Sequence, residues 1–175
     1  MCPPARAVID ACRELATLRD VRALMADAVN RRLVNTADLE RALHTGCSAG
    51  SALARQALAD VRAGCRSAPE CEIRDLFKKS SLLPEPLWNA PVFDREGRLL
   101  GYPDALFAEA RLAIEGNSRE WHMDGDTFEG TMQRSSRFAA AGILVIPVSP
   151  SRLRRDGQTF LGEVEAAYLA RTHGN

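Results

Sequence analysis

Two patterns of apolar and polar positions divide the chain. In the first, apolar residues such as Ala7 and Ala11 recur at helical spacing, which predicts amphipathic helices. Gly46 and Gly64 follow such stretches and are typical of helix ends. The pattern predicts a helical bundle or connector over residues 1–66.

The second pattern begins at Ser67 and alternates helical periods with short apolar runs. It predicts helices at 67–79, 127–141 and 159–171, strands at 87–94, 98–101, 102–107 and 111–115, and a strand buried on both faces at 143–148. Helices mixed with antiparallel and buried strands indicate an α/β domain over residues 67–175, with a mixed sheet flanked by helices.

Composition narrows the function classes. The chain contains 23 basic residues (Lys and Arg) and 23 acidic residues (Asp and Glu). It therefore has no overall basic excess that would indicate nucleic-acid binding, although Arg152, Arg154 and Arg155 form a local basic stripe. The five cysteines are scattered, which favours reduced thiols over a disulfide framework or a zinc site. Neither a membrane span nor a signal peptide is recognisable, so we expect a soluble cytoplasmic protein with no membrane partner.

Asp104 and Glu115 are the acidic residues that suggest chemistry. Asp104 stands at the start of one predicted strand and Glu115 at the end of the next. Antiparallel pairing would bring both carboxylates to one end of the hairpin. Mg²⁺ is commonly held by one or two carboxylates, water and substrate phosphate oxygens, so the spacing predicts a nuclease-type metal site.

Each of these residues also has a structural interpretation. Asp104 after Pro103 is a common turn pair, and Glu115 could form a salt bridge with Arg98 or Arg111.

Further residues downstream have the same two interpretations. His122 could transfer a proton or pack as a ring beside Trp121. Arg134 and Arg137, on the helix that follows, could contact phosphates or remain solvated.

The residues that carry these predictions resemble a known family. Pro103-Asp104 followed by Glu115-Gly116-Asn117 resembles the PD-(D/E)XK nuclease pattern, with Asn117 where the family has lysine. The run 118–122 resembles the Trp-His segment of very-short-patch-repair-like endonucleases. The stretch from 67 to about 170 is similar to a domain of actinobacterial proteins grouped near the type IV antitoxin AbiEi.

The resemblance implies a restriction-endonuclease-like core and a Mg²⁺-dependent hydrolase acting on DNA. It adds Glu70, from the Ser-x-x-Glu pattern at Ser67, with Glu72 as a substitute. Asn117 would orient water or phosphate, and Arg119 would contact nucleic acid. The related proteins carry a winged-helix segment upstream, so we expect this chain to be a shorter version.

Three functions are consistent with these residues. The first is a metal-dependent DNA endonuclease with Glu70, Asp104 and Glu115 as its acids and His122 as acid or base. The second is a catalytically degenerate domain that serves as a regulatory or antitoxin-like module bound to a cognate toxin or other protein. The third is a helical bundle that mediates self-association. Asparagine cannot replace a catalytic base, which favours the second function over the first.

Overall fold

The computed structural model describes residues 2–46, 49–116 and 125–173, and within the last range the side chains of 125–129 and 131 are left out. Two compact units make up the chain, Met1–Glu72 and Ile73–Asn175.

Four helices form most of the first unit. They are α1 (Pro4–Glu14), α2 (Leu18–Asn30), α3 (Thr36–His44) and α4 (Ala52–Arg62). Side-chain caps explain two of their starts: the Thr17 side chain accepts a hydrogen bond from the Asp20 N–H, and the Asn35 side chain accepts one from the Asp38 N–H.

The buried side chains of this unit are mainly apolar, but they also include an arginine in an ion pair. Ile9, Met25 and Leu39 are fully buried in it. Arg22 on α2 is also buried, and its Nε donates to Asp60 Oδ2 on α4 at 2.8 Å. Pairing with a hydrogen bond is what makes burial of a guanidinium tolerable.

The second unit contains a sheet and its covering helices. Its elements are the end of α5 (Ala68–Phe77), β1 (Leu87–Trp88), β2 (Val92–Phe93), β3 (Leu99–Gly101), β4 (Ala105–Phe107), β5 (Leu112–Gly116), α6 (Gly125–Ala140), β6 (Leu144–Val148) and α7 (Pro150–Thr172). One sheet has the strand order β1-β4-β5-β6, and β2 and β3 form a separate hairpin. β4 is antiparallel to β5, whereas β6 is parallel to β5.

Both faces of the four-stranded sheet are covered. Ala105, Phe107 and Ile114 face a cluster completed by α5 and α7. The alternate positions Leu106 and Ala113 face a second cluster, which contains Phe138 of α6 and residues of the β2–β3 hairpin. This alternation follows from the two-residue period of a strand.

The predicted α/β class is confirmed, since the described residues form seven helices and a mixed four-stranded sheet. The single strand predicted at 87–94 is wrong: Asn89 has a φ of 49° and Pro91 follows, so the run splits into β1 and β2, which pair with different partners.

Two further predictions in the C-terminal part need correction. β6 is not buried on both faces, because it is an edge strand and Leu144 is exposed. The last helix begins earlier than predicted, since Ser149 caps it and Pro150 occupies its first turn, with a break at Asp156.

Candidate acidic site at the ends of β4 and β5

The register of β4 and β5 places the two acids at one end of the sheet. Ala105 pairs with Ile114 in this antiparallel ladder. The positions just beyond that pair are Asp104 and Glu115, so they are opposite each other. The convergence predicted from their spacing is therefore present in the backbone register.

Asp104 is held by the backbone of the neighbouring strand. The Gly116 N–H donates to Asp104 Oδ2 at 2.6 Å, and the Asn89 N–H donates to the Asp104 carbonyl at 3.2 Å. A carboxylate that accepts a backbone N–H forms a strong, charge-assisted hydrogen bond. The Asp104 side chain is thus tied to β5, which goes beyond the turn role that Pro103-Asp104 suggests.

Gly116 permits this approach. A Cβ added at Gly116 would lie 3.0 Å from Asp104 Oδ2 and 3.3 Å from Ile73 Cδ1. A larger residue there would push the carboxylate away from the strand. The glycine that weakens β5 as a strand residue is needed where the backbone and the acid meet.

Glu115 is a largely buried carboxylate whose counter-ion comes from α6. Its side chain is 19% exposed, and Arg134 Nη2 lies 2.8 Å from its Oε1. Burial raises the pKa of Glu115, the Arg134 charge lowers it in part, and the Asp104 charge raises it further. The effect of Asp104 shows that the two carboxylates are close enough to interact.

The salt-bridge partners proposed for Glu115 from the sequence are engaged elsewhere. Arg98 pairs with Asp94 at 2.7 Å and with Glu96 at 3.2 Å. Arg111 donates to the Ala141 carbonyl. A salt bridge of Glu115 is present, but with Arg134, which the sequence suggested as a phosphate contact.

The contact between Arg134 and Glu115 is an ion pair without a directed hydrogen bond. Although the two atoms are 2.8 Å apart, Glu115 Oε1 has no hydrogen-bond partner among the described atoms, and neither does the buried Arg134 Nε. Distance defines the ion pair, whereas a hydrogen bond also needs an N–H aimed at the oxygen. The geometry indicates charge compensation with poor bonding.

Arg134 and Arg137 border a groove next to the acids. Arg134 Nη2 donates to the Tyr102 carbonyl at 3.2 Å, and Arg137 Nη2 donates to the Leu99 carbonyl at 2.9 Å. The groove has a volume of about 380 Å³ and is lined by Leu100, Gly101, Tyr102, Gly130, Gln133, Arg134 and Arg137. Both arginines are more than ordinary solvated helix residues.

Glu70 takes part in capping the start of α5. Its N–H donates to Ser67 Oγ at 3.3 Å, and its carboxylate accepts from the Arg66 N–H at 2.8 Å. This is close to the reciprocal arrangement of a capping box, for which Ser-x-x-Glu is a sequence signature. Glu72, the substitute acid, lies 3.1 Å from Arg19 in an ion pair. The pattern that resembles the family motif thus has a local structural role here.

Three residues of the predicted site lie outside the described residues: Asn117, Arg119 and His122. Their assigned roles stay predictions.

The described acids fit part of a Mg²⁺ site. Asp104 and Glu115 offer hard oxygens, and the buried Glu115 Oε1 has no hydrogen-bond partner among the described atoms, so its lone pairs are available to a cation. Across the described ranges, no group of at least three His, Cys, Asp or Glu residues is placed to hold a metal ion. Any ion here would need water or substrate oxygens to complete its shell, as Mg²⁺ commonly does.

No family model, curated protein or solved structure matches the chain. Among the described helices, none is both long and apolar enough to cross a membrane.

Proposed function

We propose that the second unit is a restriction-endonuclease-like domain that hydrolyses DNA phosphodiester bonds with a divalent cation held by Asp104 and Glu115. The observation that carries the proposal is the pairing of these acids at the ends of β4 and β5, where Asp104 raises the pKa of Glu115. A mixed sheet with helices on both faces supports the fold named here.

In this proposal, the residues around the two acids have different roles. A bound Mg²⁺ would polarise the scissile phosphate and lower the pKa of a bound water. Gly116 keeps Asp104 in place through its N–H. Arg137, fixed to the Leu99 carbonyl, offers its remaining N–H groups to a phosphate, for which a guanidinium is well suited.

Arginine side chains elsewhere are less suited to DNA contact. In the predicted basic stripe, Arg152 pairs with Glu163 at 2.6 Å and Arg155 with Asp156 at 2.9 Å. Acidic partners reduce the net positive charge that attracts phosphates. The groove beside the acids, lined by Arg134 and Arg137, is the better candidate for the DNA surface.

One observation favours a second function, a non-catalytic regulatory or antitoxin-like module on the same fold. The Arg134 guanidinium already neutralises Glu115 at 2.8 Å, so the domain has no need of a cation for charge balance. Asn117 at the family's lysine position points in the same direction. In this alternative the groove would bind a protein partner.

Thermal unfolding with Mn²⁺ or Mg²⁺ tests for the cation. For the wild type, we expect stabilisation of about 2.7 kcal/mol when the ion is at about one hundred times its dissociation constant. Asp104→Asn should lose it. Glu96→Gln is the matched control, because Glu96 is an exposed acid on the β2–β3 turn and its loss should change nothing.

Plasmid nicking separates an enzyme from a cation-binding protein. Nicking that requires Mg²⁺ and disappears in Glu115→Ala would support the hydrolase. Stabilisation by metal without nicking would favour the regulatory module, and the absence of both would refute the cation site.

A further inference from the structure

The ion pair of Glu115 and Arg134 is an unusual place to find two unsatisfied atoms. Glu115 Oε1 and Arg134 Nε are both buried, and neither has a hydrogen-bond partner among the described atoms. Buried polar atoms of folded proteins are nearly always hydrogen-bonded, and an exception calls for an explanation such as a missing ion or ligand. Two such atoms meet here in a single contact.

One directed hydrogen bond and side-chain packing hold the Arg134 guanidinium where it lies. Its Nη2 is 2.8 Å from Glu115 Oε1 and donates one hydrogen bond, at 3.2 Å, to the Tyr102 carbonyl. The group packs against the bare backbone of Gly101, where an added Cβ would be 3.0 Å from Nη2. It therefore occupies space next to the carboxylate with few directed bonds to hold it there.

Space is available next to the Arg134 guanidinium. The groove of about 380 Å³ adjoins the guanidinium, and its lining includes Gly130 and Gln133. Arg137, on the same helix, is fixed at the groove wall by its bond to the Leu99 carbonyl. A guanidinium that left Glu115 would enter the groove beside a second one.

We propose that Arg134 is a resident counter-ion of Glu115 that a divalent cation displaces into the groove, where Arg134 and Arg137 together bind a phosphate oxygen. This inference rests on the proposed cation site. A divalent ion carries twice the charge of the guanidinium and can bind Glu115 and Asp104 at once, so it competes well for the same oxygen. Phosphate then offsets the repulsion between the two guanidinium groups.

Calorimetric titration of the full chain with Mn²⁺ alone tests the displacement. Arg134→Gln should bind Mn²⁺ more tightly than the wild type by about threefold or more, since a positive charge beside the ion opposes binding. Arg111→Gln is the matched control, because Arg111 also donates to a backbone carbonyl of the second unit but precedes β5 at the end opposite Glu115. It should leave the affinity unchanged.

The outcomes separate this inference from the proposed function. Asp104-dependent binding that is no tighter in Arg134→Gln would overturn the displacement and leave the cation site standing. An equal gain in Arg111→Gln would also overturn it, because general electrostatics would then explain the change. No binding by the wild type or by Arg134→Gln would overturn both proposals.

A second measurement covers the case in which Arg134→Gln fails to fold. In the wild type, the arginine Nε–Hε resonances can be followed by NMR during titration with Mg²⁺. The Arg134 signal should shift on binding while that of Arg111 stays in place. An unchanged Arg134 signal in a protein that binds Mg²⁺ would contradict the displacement.

Discussion

The two units each contain an arginine–carboxylate pair with the same 2.8 Å separation, yet the pairs differ in burial and in bonding. In the first unit Arg22 Nε donates a hydrogen bond to Asp60, and the Arg22 side chain is 4% exposed. In the second, Arg134 approaches Glu115 without a directed hydrogen bond and is 41% exposed. The two pairs thus have the same separation, but only the pair of Arg22 and Asp60 is joined by a directed hydrogen bond.

The difference indicates different roles. A bonded pair that joins two helices, as Arg22 and Asp60 join α2 and α4, holds a fold in one arrangement. The pair of Glu115 and Arg134 has buried atoms without hydrogen bonds, and it lies next to a second acid and an open groove. Such departures from complete hydrogen bonding are expected at functional sites.

The largest effect is expected in the first unit. Asp60→Ala should lower the free energy of unfolding by about 3 kcal/mol, because it leaves a buried guanidinium without its carboxylate. Urea denaturation followed by circular dichroism measures this. Asp27→Ala, which breaks the exposed pair of Asp27 with Arg31, should change stability by about 0.5 kcal/mol or less. Equal losses in the two variants would show that burial of the pair does not matter.

A smaller loss is expected at the acidic site. Gly116→Ala should destabilise the protein by about 2 kcal/mol, because the new Cβ interferes with the hydrogen bond between Gly116 and Asp104. Gly130→Ala is the control: nothing lies within 4 Å of its added Cβ, and alanine in a helix should add up to about 1 kcal/mol. If both substitutions stabilised the protein, the close contact at Gly116 would be refuted.

The smallest effect is a pH dependence from Glu115. Its pKa is raised in the folded protein, above all by burial. Between the ordinary glutamate pKa and the raised one, the folded state binds more protons than the unfolded state, so this group's contribution to stability falls as the pH rises. Relative to Glu115→Gln, the wild type should therefore be less stable at pH 7 than at pH 5.

Urea midpoints of both proteins across this pH range provide the measurement. A wild type that gains stability over Glu115→Gln as the pH rises would mean that the Arg134 charge outweighs burial. The ion pair would then be as well formed as that of Arg22 and Asp60.

The α/β class could be predicted from the sequence because it depends on local periodicity, and the meeting of Asp104 and Glu115 because strand pairing determines it. The contact of Arg134 with Glu115 could not be predicted from the sequence, because it depends on how α6 packs over the sheet. Spacing along the chain does not encode that packing. The split of 87–94 depends on the positive φ of Asn89. Ser67-x-x-Glu70 shows how one pattern can be shared by a family motif and a helix cap.

In the proposed site, Asp104 and Glu115 share a divalent cation whose place Arg134 holds in its absence. Anomalous X-ray diffraction from crystals grown with Mn²⁺ would locate that cation. We expect a peak in bonding contact with both carboxylates and an Arg134 side chain turned toward Arg137. Crystals that diffract well at high Mn²⁺ concentration, with no peak there and the guanidinium still against Glu115, would contradict it.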